Sequence, residues 1–157
     1  MTHRWIRTAW MGLTLAWGLV GAAGAEEHGP RTPLLPQYQQ ECAACHMAYP
    51  PGMLPAASWR RLMANLPQHF GTDASLDVAT VKKLSGWLEA HAATGRRAST
   101  EPPQDRITRT AWFMHEHDEI SPAVWKRASV KSPANCMACH READRGIFEE
   151  DSVRIPR

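Results

Sequence analysis

Apolar residues recur at helical spacing in two stretches of this chain and at strand spacing almost nowhere. Over residues 56–66, Trp59, Leu62, Met63 and Leu66 fall on one side of a 3.6-residue period and predict an amphipathic helix. Over 78–92, Val81, Leu84, Trp87, Leu88 and His91 mark the apolar side of the strongest predicted helix. Asp77 stands at its N-cap and Gly95 at its expected end. Shorter elements are marked by punctuation. A helix over 37–47 is stopped by Pro50-Pro51-Gly52, because two prolines in a row force an extended segment. Pro67 interrupts the second helix, and Gln68-His69-Phe70-Gly71 follows as a turn. Ser121-Pro122 opens a short helix to about residue 127, with Ser at N-cap and Pro at N1. Ser132-Pro133 repeats that signal for a last helix, which Gly146 is expected to end. The stretches 26–36 and 94–105 read as an irregular arm and a loop joining two halves, and the tail has no clear period. The expected fold is mostly α, one small helical domain with long irregular loops and no convincing internal repeat.

The first 25 residues follow a different pattern. Arg4 and Arg7 precede an apolar run from Thr8 to Val20, then Gly21-Ala22-Ala23-Gly24-Ala25 and two glutamates. A basic start, an apolar middle and a small-residue A-x-A site predict a cleavable signal peptide, cut after Ala25. The mature chain is then 26–157, outside the cytoplasm and expected in the periplasm. The signal takes two of the basic residues and none of the acids, so the mature polypeptide is balanced in charge. It shows no basic stripe, which argues against nucleic acid as a partner.

An exported chain is permitted disulfides, but the four cysteines sit in two copies of one arrangement. These are Cys42-Ala-Ala-Cys45-His46 and Cys136-Met-Ala-Cys139-His140. C-x-x-C-H is the attachment pattern of c-type haem. On a helix, thiols at i and i+3 share a face and can form thioethers to the two vinyl groups of one porphyrin. The next residue, His, can reach the iron from the proximal side. A zinc site pooling Cys42, Cys45, Cys136 and Cys139 would leave His46 and His140 unexplained. A thioredoxin-like dithiol needs a βαβ context that the chain lacks. Two haem c groups are expected, with His46 and His140 as proximal iron ligands. The modest apolar content makes their large apolar faces part of the core, so the apoprotein is expected to fold poorly.

The far side of each iron decides between a closed electron-carrying haem and an open site for gas or peroxide. Five histidines remain in the mature chain: His28, His69, His91, His115 and His117. His28 lies near the mature terminus, His69 on a turn, and His91 at the end of the strongest helix. His115 and His117 share a face if their stretch is extended and diverge by about 200° if it is helical. Met47, Met53, Met63, Met114 and Met137 are rival ligands; Met53, in a loop, is the most plausible of them.

The stretches YQQECAACHMAYPPGMLPAASWRRLM, LPQHFGTDASLD, RITRTAWFMHEHDEI and VKSPANCMACHREADRGIFEEDSVRIPR resemble the small exported dihaem cytochrome c family. The resemblance spans roughly 37–157. It implies two six-coordinate, low-spin haems with bis-His ligation. The family's His-Phe-Gly turn falls on His69 and its Glu-His on His117, which favours His69 as distal ligand of the first haem and His117 of the second and leaves His115 as a surface group or one behind the ligands. Which distal His serves which haem stays open at this point, including a crossing between halves. The resemblance also implies a carrier of single electrons rather than an enzyme. Its partners would be a small high-spin, oxygen-binding cytochrome c and a membrane b-type cytochrome, with membrane contact only through such partners. A dihaem peroxidase, a small subunit of a periplasmic reductase and a gas-binding protein are the rival functions.

Overall fold

The computed structural model describes residues 32–157. The predicted signal peptide, its cleavage site and His28 lie outside the described residues. The described chain is helical and irregular, and its only β pairing is two isolated bridges, Pro55 with Ala93 and His69 with Thr72. Five α-helices run in order: α1 Pro36–Cys42, α2 Ala56–Ala64, α3 Val78–Ala90, α4 Ala111–Glu116 and α5 Pro122–Trp125. Single 3-10 turns fill much of the rest.

Periodicity predicted α2 and α3 as amphipathic helices, and in the structure their apolar faces pack against each other as the central pair. Leu84 and Leu88 of α3 are fully buried and meet Trp59 and Met63 of α2 in one core with Tyr38, Ala48, Leu54 and Leu66. Each fully buried leucine contributes about 1.5–3 kcal/mol. Asp77 caps α3, its carboxylate accepting from the Thr80 N–H at 3.0 Å. The helix ends at Ala90 with His91 as C-cap, two residues short of the predicted span 78–92; Gly95, at φ 57°, instead opens the 3-10 turn Gly95–Ala98.

The proline segment after the first motif is held from two sides. The Trp59 indole donates to the Pro51 carbonyl at 2.7 Å, and the Tyr38 hydroxyl donates to the Tyr49 carbonyl at 2.9 Å. Ala93 N–H then pairs with Leu54 C=O at 2.8 Å, tying the end of α3 to the same segment.

Both predicted motif helices are corrected. α1 ends at Cys42, so Cys45 and His46 follow it in turns rather than on the helix. The second motif has no α-helix; it lies on the 3-10 turn Cys136–Ala138, and Ala143–Arg145 is a separate turn closed by Gly146 at φ 72°. In a 3-10 turn residues i and i+3 eclipse, so Cys136 and Cys139 still line up. α5 is also shorter than predicted, ending at Trp125.

The two halves differ in their means of support. The apolar core draws on residues from Leu34 to Ile107. Beyond that, the buried apolar residues among those described are Phe113, Val130 and Ala143. The tail compensates by returning over the second motif: Arg154 N–H donates to Cys139 C=O at 3.0 Å, and Arg127 donates to the Pro156 carbonyl at 2.7 Å.

Candidate haem sites

All four cysteines are free thiols; Cys42, Cys136 and Cys139 are half-buried and Cys45 is exposed. Among the described residues no group of three or more His, Cys, Asp and Glu side chains gathers as a metal site. The two CxxC pairs therefore do not pool into one four-cysteine centre. Burial pushes the Cys42 and Cys136 thiols up to about 11, helped at Cys42 by the charge of Glu41. A raised thiol is the opposite of the lowered one that marks a redox-active cysteine.

Histidines pair where the cysteines do not. The His46 and His69 ring centroids lie 6.1 Å apart with planes 28° from parallel. His117 and His140 show the same 6.1 Å separation with planes at 73°. The rings are too far apart to touch and suitably spaced to share one atom. Two metal–imidazole bonds of about 2 Å each, with a little over 1 Å from each nitrogen to its ring centre, give roughly that distance. Each pair joins the histidine of one CxxCH motif to one further histidine, and both pairs form within their own half of the chain rather than across halves.

The ring orientations are set by the backbone. His46 Nδ1 lies 2.7 Å from the Met47 carbonyl and His117 Nδ1 lies 2.9 Å from the Phe113 carbonyl. An Nδ1–H donated to a carbonyl leaves Nε2 with its lone pair free, the arrangement in which imidazole binds a metal. His69 and His140 have buried Nδ1 atoms without a protein partner. Burial first, and then the facing His46 or His117, holds both of these rings below the usual imidazole range, and so neutral. Neutral rings are the form that ligates iron.

His69 is aimed by a tight turn. Thr72 N–H donates to His69 C=O at 3.0 Å, and the two residues between, Phe70 and Gly71, have φ of 50° and 94°. Gly71 takes such a φ freely; Phe70 does not. His117 is the C-cap of α4, boxed by Phe113 at 4.1 Å and Trp125 at 5.9 Å between ring centres. It opens onto a cavity of about 540 Å³ walled by Phe113, Trp125, Arg106, Arg109 and Pro133. Aromatic rings and two guanidinium groups in one wall suit a flat apolar cofactor with carboxylates.

The remaining candidates fall outside these pairs. His91 is exposed, with Nδ1 2.8 Å from the Trp87 carbonyl. His115 is exposed, because α4 is helical and turns it away from His117. Met53 is buried in the core, while Met114 and Met137 are exposed.

The model of the dihaem cytochrome c family matches residues 38–148. The chain belongs to the dihaem cytochrome c family. Solved structures agree. A diheme cytochrome c from Shewanella baltica OS155 is 42% identical, covers 80% of this chain and 95% of its own length, and superposes with a TM-score of 0.70. A DHC purified from Rhodobacter sphaeroides is 47% identical over 74% of this chain and 98% of its own, with a TM-score of 0.65. A diheme cytochrome c from the same organism is 43% identical over 76% of this chain and 100% of its own, with a TM-score of 0.66. No curated protein matches. As a dihaem cytochrome c the chain carries two haem c groups and is an electron-transfer haem protein.

The residues around the histidines were less visible in the sequence. Tyr49 stacks on His46, with ring centres 4.9 Å apart, and Phe148 lies 5.3 Å from His140. Phe113 stands four residues before His117 and Tyr49 three after His46, spacings that could have flagged them.

Proposed function

We propose that this dihaem cytochrome c is a periplasmic carrier that relays single electrons through two low-spin, bis-His haems. The haem thioethers form at Cys42 and Cys45 for the first group and at Cys136 and Cys139 for the second. His46 with His69 holds the first iron and His117 with His140 the second. The observation that supports this most is the equal 6.1 Å spacing of the two histidine pairs. Two nitrogen ligands close an iron to small molecules and favour a lower potential than His/Met ligation would. The haem supplies one-electron chemistry when bound; the polypeptide holds the axial rings, keeps His69 and His140 neutral and sets aromatic side chains beside each site. A carrier docks transiently, on a small interface. A small high-spin cytochrome c and a membrane b-type cytochrome fit as partners of such a protein. Among the described residues no helix is long and apolar enough to cross a membrane.

Visible and low-temperature electron paramagnetic resonance spectra of the oxidised protein test this, followed by carbon monoxide on the reduced form. Two low-spin haems, no methionine–iron absorption and no carbon monoxide adduct are expected. Near-parallel axial rings split the iron d orbitals differently from near-perpendicular ones, so the 28° and 73° pairs should give two distinct low-spin signals. A high-spin signal or rapid carbon monoxide binding would instead indicate an open haem and an enzyme or gas-binding role.

A further inference from the structure

Four described residues other than glycine take a left-handed φ: Phe70 at 50°, Gln104 at 58°, Asp105 at 54° and Lys131 at 70°. Such a conformation costs about 1–2 kcal/mol per residue. It persists only where the surroundings enforce it, often at functional sites. Three of the four meet at one side chain, Arg106. Gln104 and Asp105 immediately precede it, and its guanidinium carbon lies 4.4 Å from the centre of the Phe70 ring.

The turn before Arg106 is pinned from outside. Arg61 donates to the two Asp105 carboxylate oxygens at 2.9 and 2.6 Å and pairs with Glu101 at 2.8 Å. Both acids of residues 95–109 are thereby neutralised by a cation from α2. Arg106 forms no ion pair among the described residues, so its charge is uncompensated there. That charge faces two ways. Phe70 follows His69 and packs its ring against the imidazole edge-on at 4.9 Å. Arg106 also lines the cavity onto which His117 opens, beside Arg109.

We infer that Arg106 is a positioning residue shared by the two haem sites. Its guanidinium holds the strained Phe70 against His69 at the first and sets a fixed positive charge beside the second. One-electron reduction of each haem adds negative charge, and a nearby cation favours the electron-richer form. Arg106 therefore raises the reduction potential of both haems, while Arg109, placed in the wall of the cavity beside His117, raises only the second.

This inference rests on the bis-His reading, and the experiment separates the two. The holoprotein and its R106Q, R106K and R109Q variants are titrated spectropotentiometrically. The two haems are followed by their separate low-spin resonance signals. In R106Q the ferric-to-ferrous ratio at fixed potential should rise several-fold at both haems, a tenfold rise being about 59 mV for one electron. R106K keeps the charge and should restore the haem beside the cavity; R109Q should shift that haem alone. Unshifted midpoints in R106Q, a shift confined to one haem, or an equal shift of both haems in R109Q overturns the role of Arg106 with the ligand reading intact. A high-spin wild-type spectrum overturns both.

Discussion

The Tyr49 ring stacks on the His46 imidazole at 4.9 Å with planes 29° apart, while its hydroxyl donates to the Ala134 carbonyl at 2.8 Å. One side chain thus touches the histidine of the first motif and the backbone two residues before Cys136. Burial, reinforced by the nearby Cys136 thiol, pushes the Tyr49 phenol up to about 12, so it stays a neutral donor. Replacing Tyr49 with Phe keeps the stack and removes the tie between halves. The expected cost is about 1 kcal/mol of stability, read by denaturant unfolding of the holoprotein. A variant as stable as wild type would mean that the halves are held together elsewhere.

His69→Ala and His117→Ala should each open one haem and leave the other low-spin. In the first, the near-parallel signal disappears; in the second, the near-perpendicular one does. Carbon monoxide should bind one haem in each variant and none in wild type. If both haems stay low-spin in either variant, that histidine is not the ligand.

Asp105 gives a pH dependence with a defined sign. Hydrogen bonds from Arg61 hold its carboxyl below the ordinary 3.8, so folding favours the ionised form. The unfolded chain binds this proton more readily, so the contribution is present above the ordinary carboxylate range and is lost as pH falls through it. The pair is partly exposed and worth no more than about 1 kcal/mol. Asp105→Asn should therefore be less stable than wild type near pH 7, and the gap should close on acidification below 3.8. A gap constant with pH would point to shape rather than charge.

The lean second half makes the haems structural. With Phe113, Val130 and Ala143 as its buried apolar residues, residues 108–157 cannot form a core without a large apolar group. A protein with all four cysteines changed to alanine is expected to keep helical signal from α2 and α3 but to lose protection from hydrogen exchange over 108–157. Equal protection in both halves would contradict this.

The helices that packing dictates were legible, because α2 and α3 expose their buried faces as a 3.6-residue period. The motif segments read as helices because the signals that bound them, Pro50-Pro51-Gly52 after the first and Ser132-Pro133 before the second, are local. In the structure Cys45, Cys139 and the histidines that follow them lie beyond the helical turns, a placement that no propensity records. The left-handed backbone at Phe70 and Gln104 was invisible for the same reason, since nothing in those residue types announces it; Asp105 is of a type that enters that region more readily.

Two haem-attachment motifs can be counted from the sequence alone, because thioether attachment uses residues adjacent in the chain and leaves a contiguous pattern. The expectation of export and the absence of a disulfide framework are read from residue order in the same way; the structure bears on the second, with all four cysteines free. Only the tertiary structure decided which histidines face each other, at what ring angle, and that Arg106 touches Phe70 while lining the cavity beside His117. Those are relations through space between residues tens of positions apart, and they exist only once α2, α3 and the turns around them have packed.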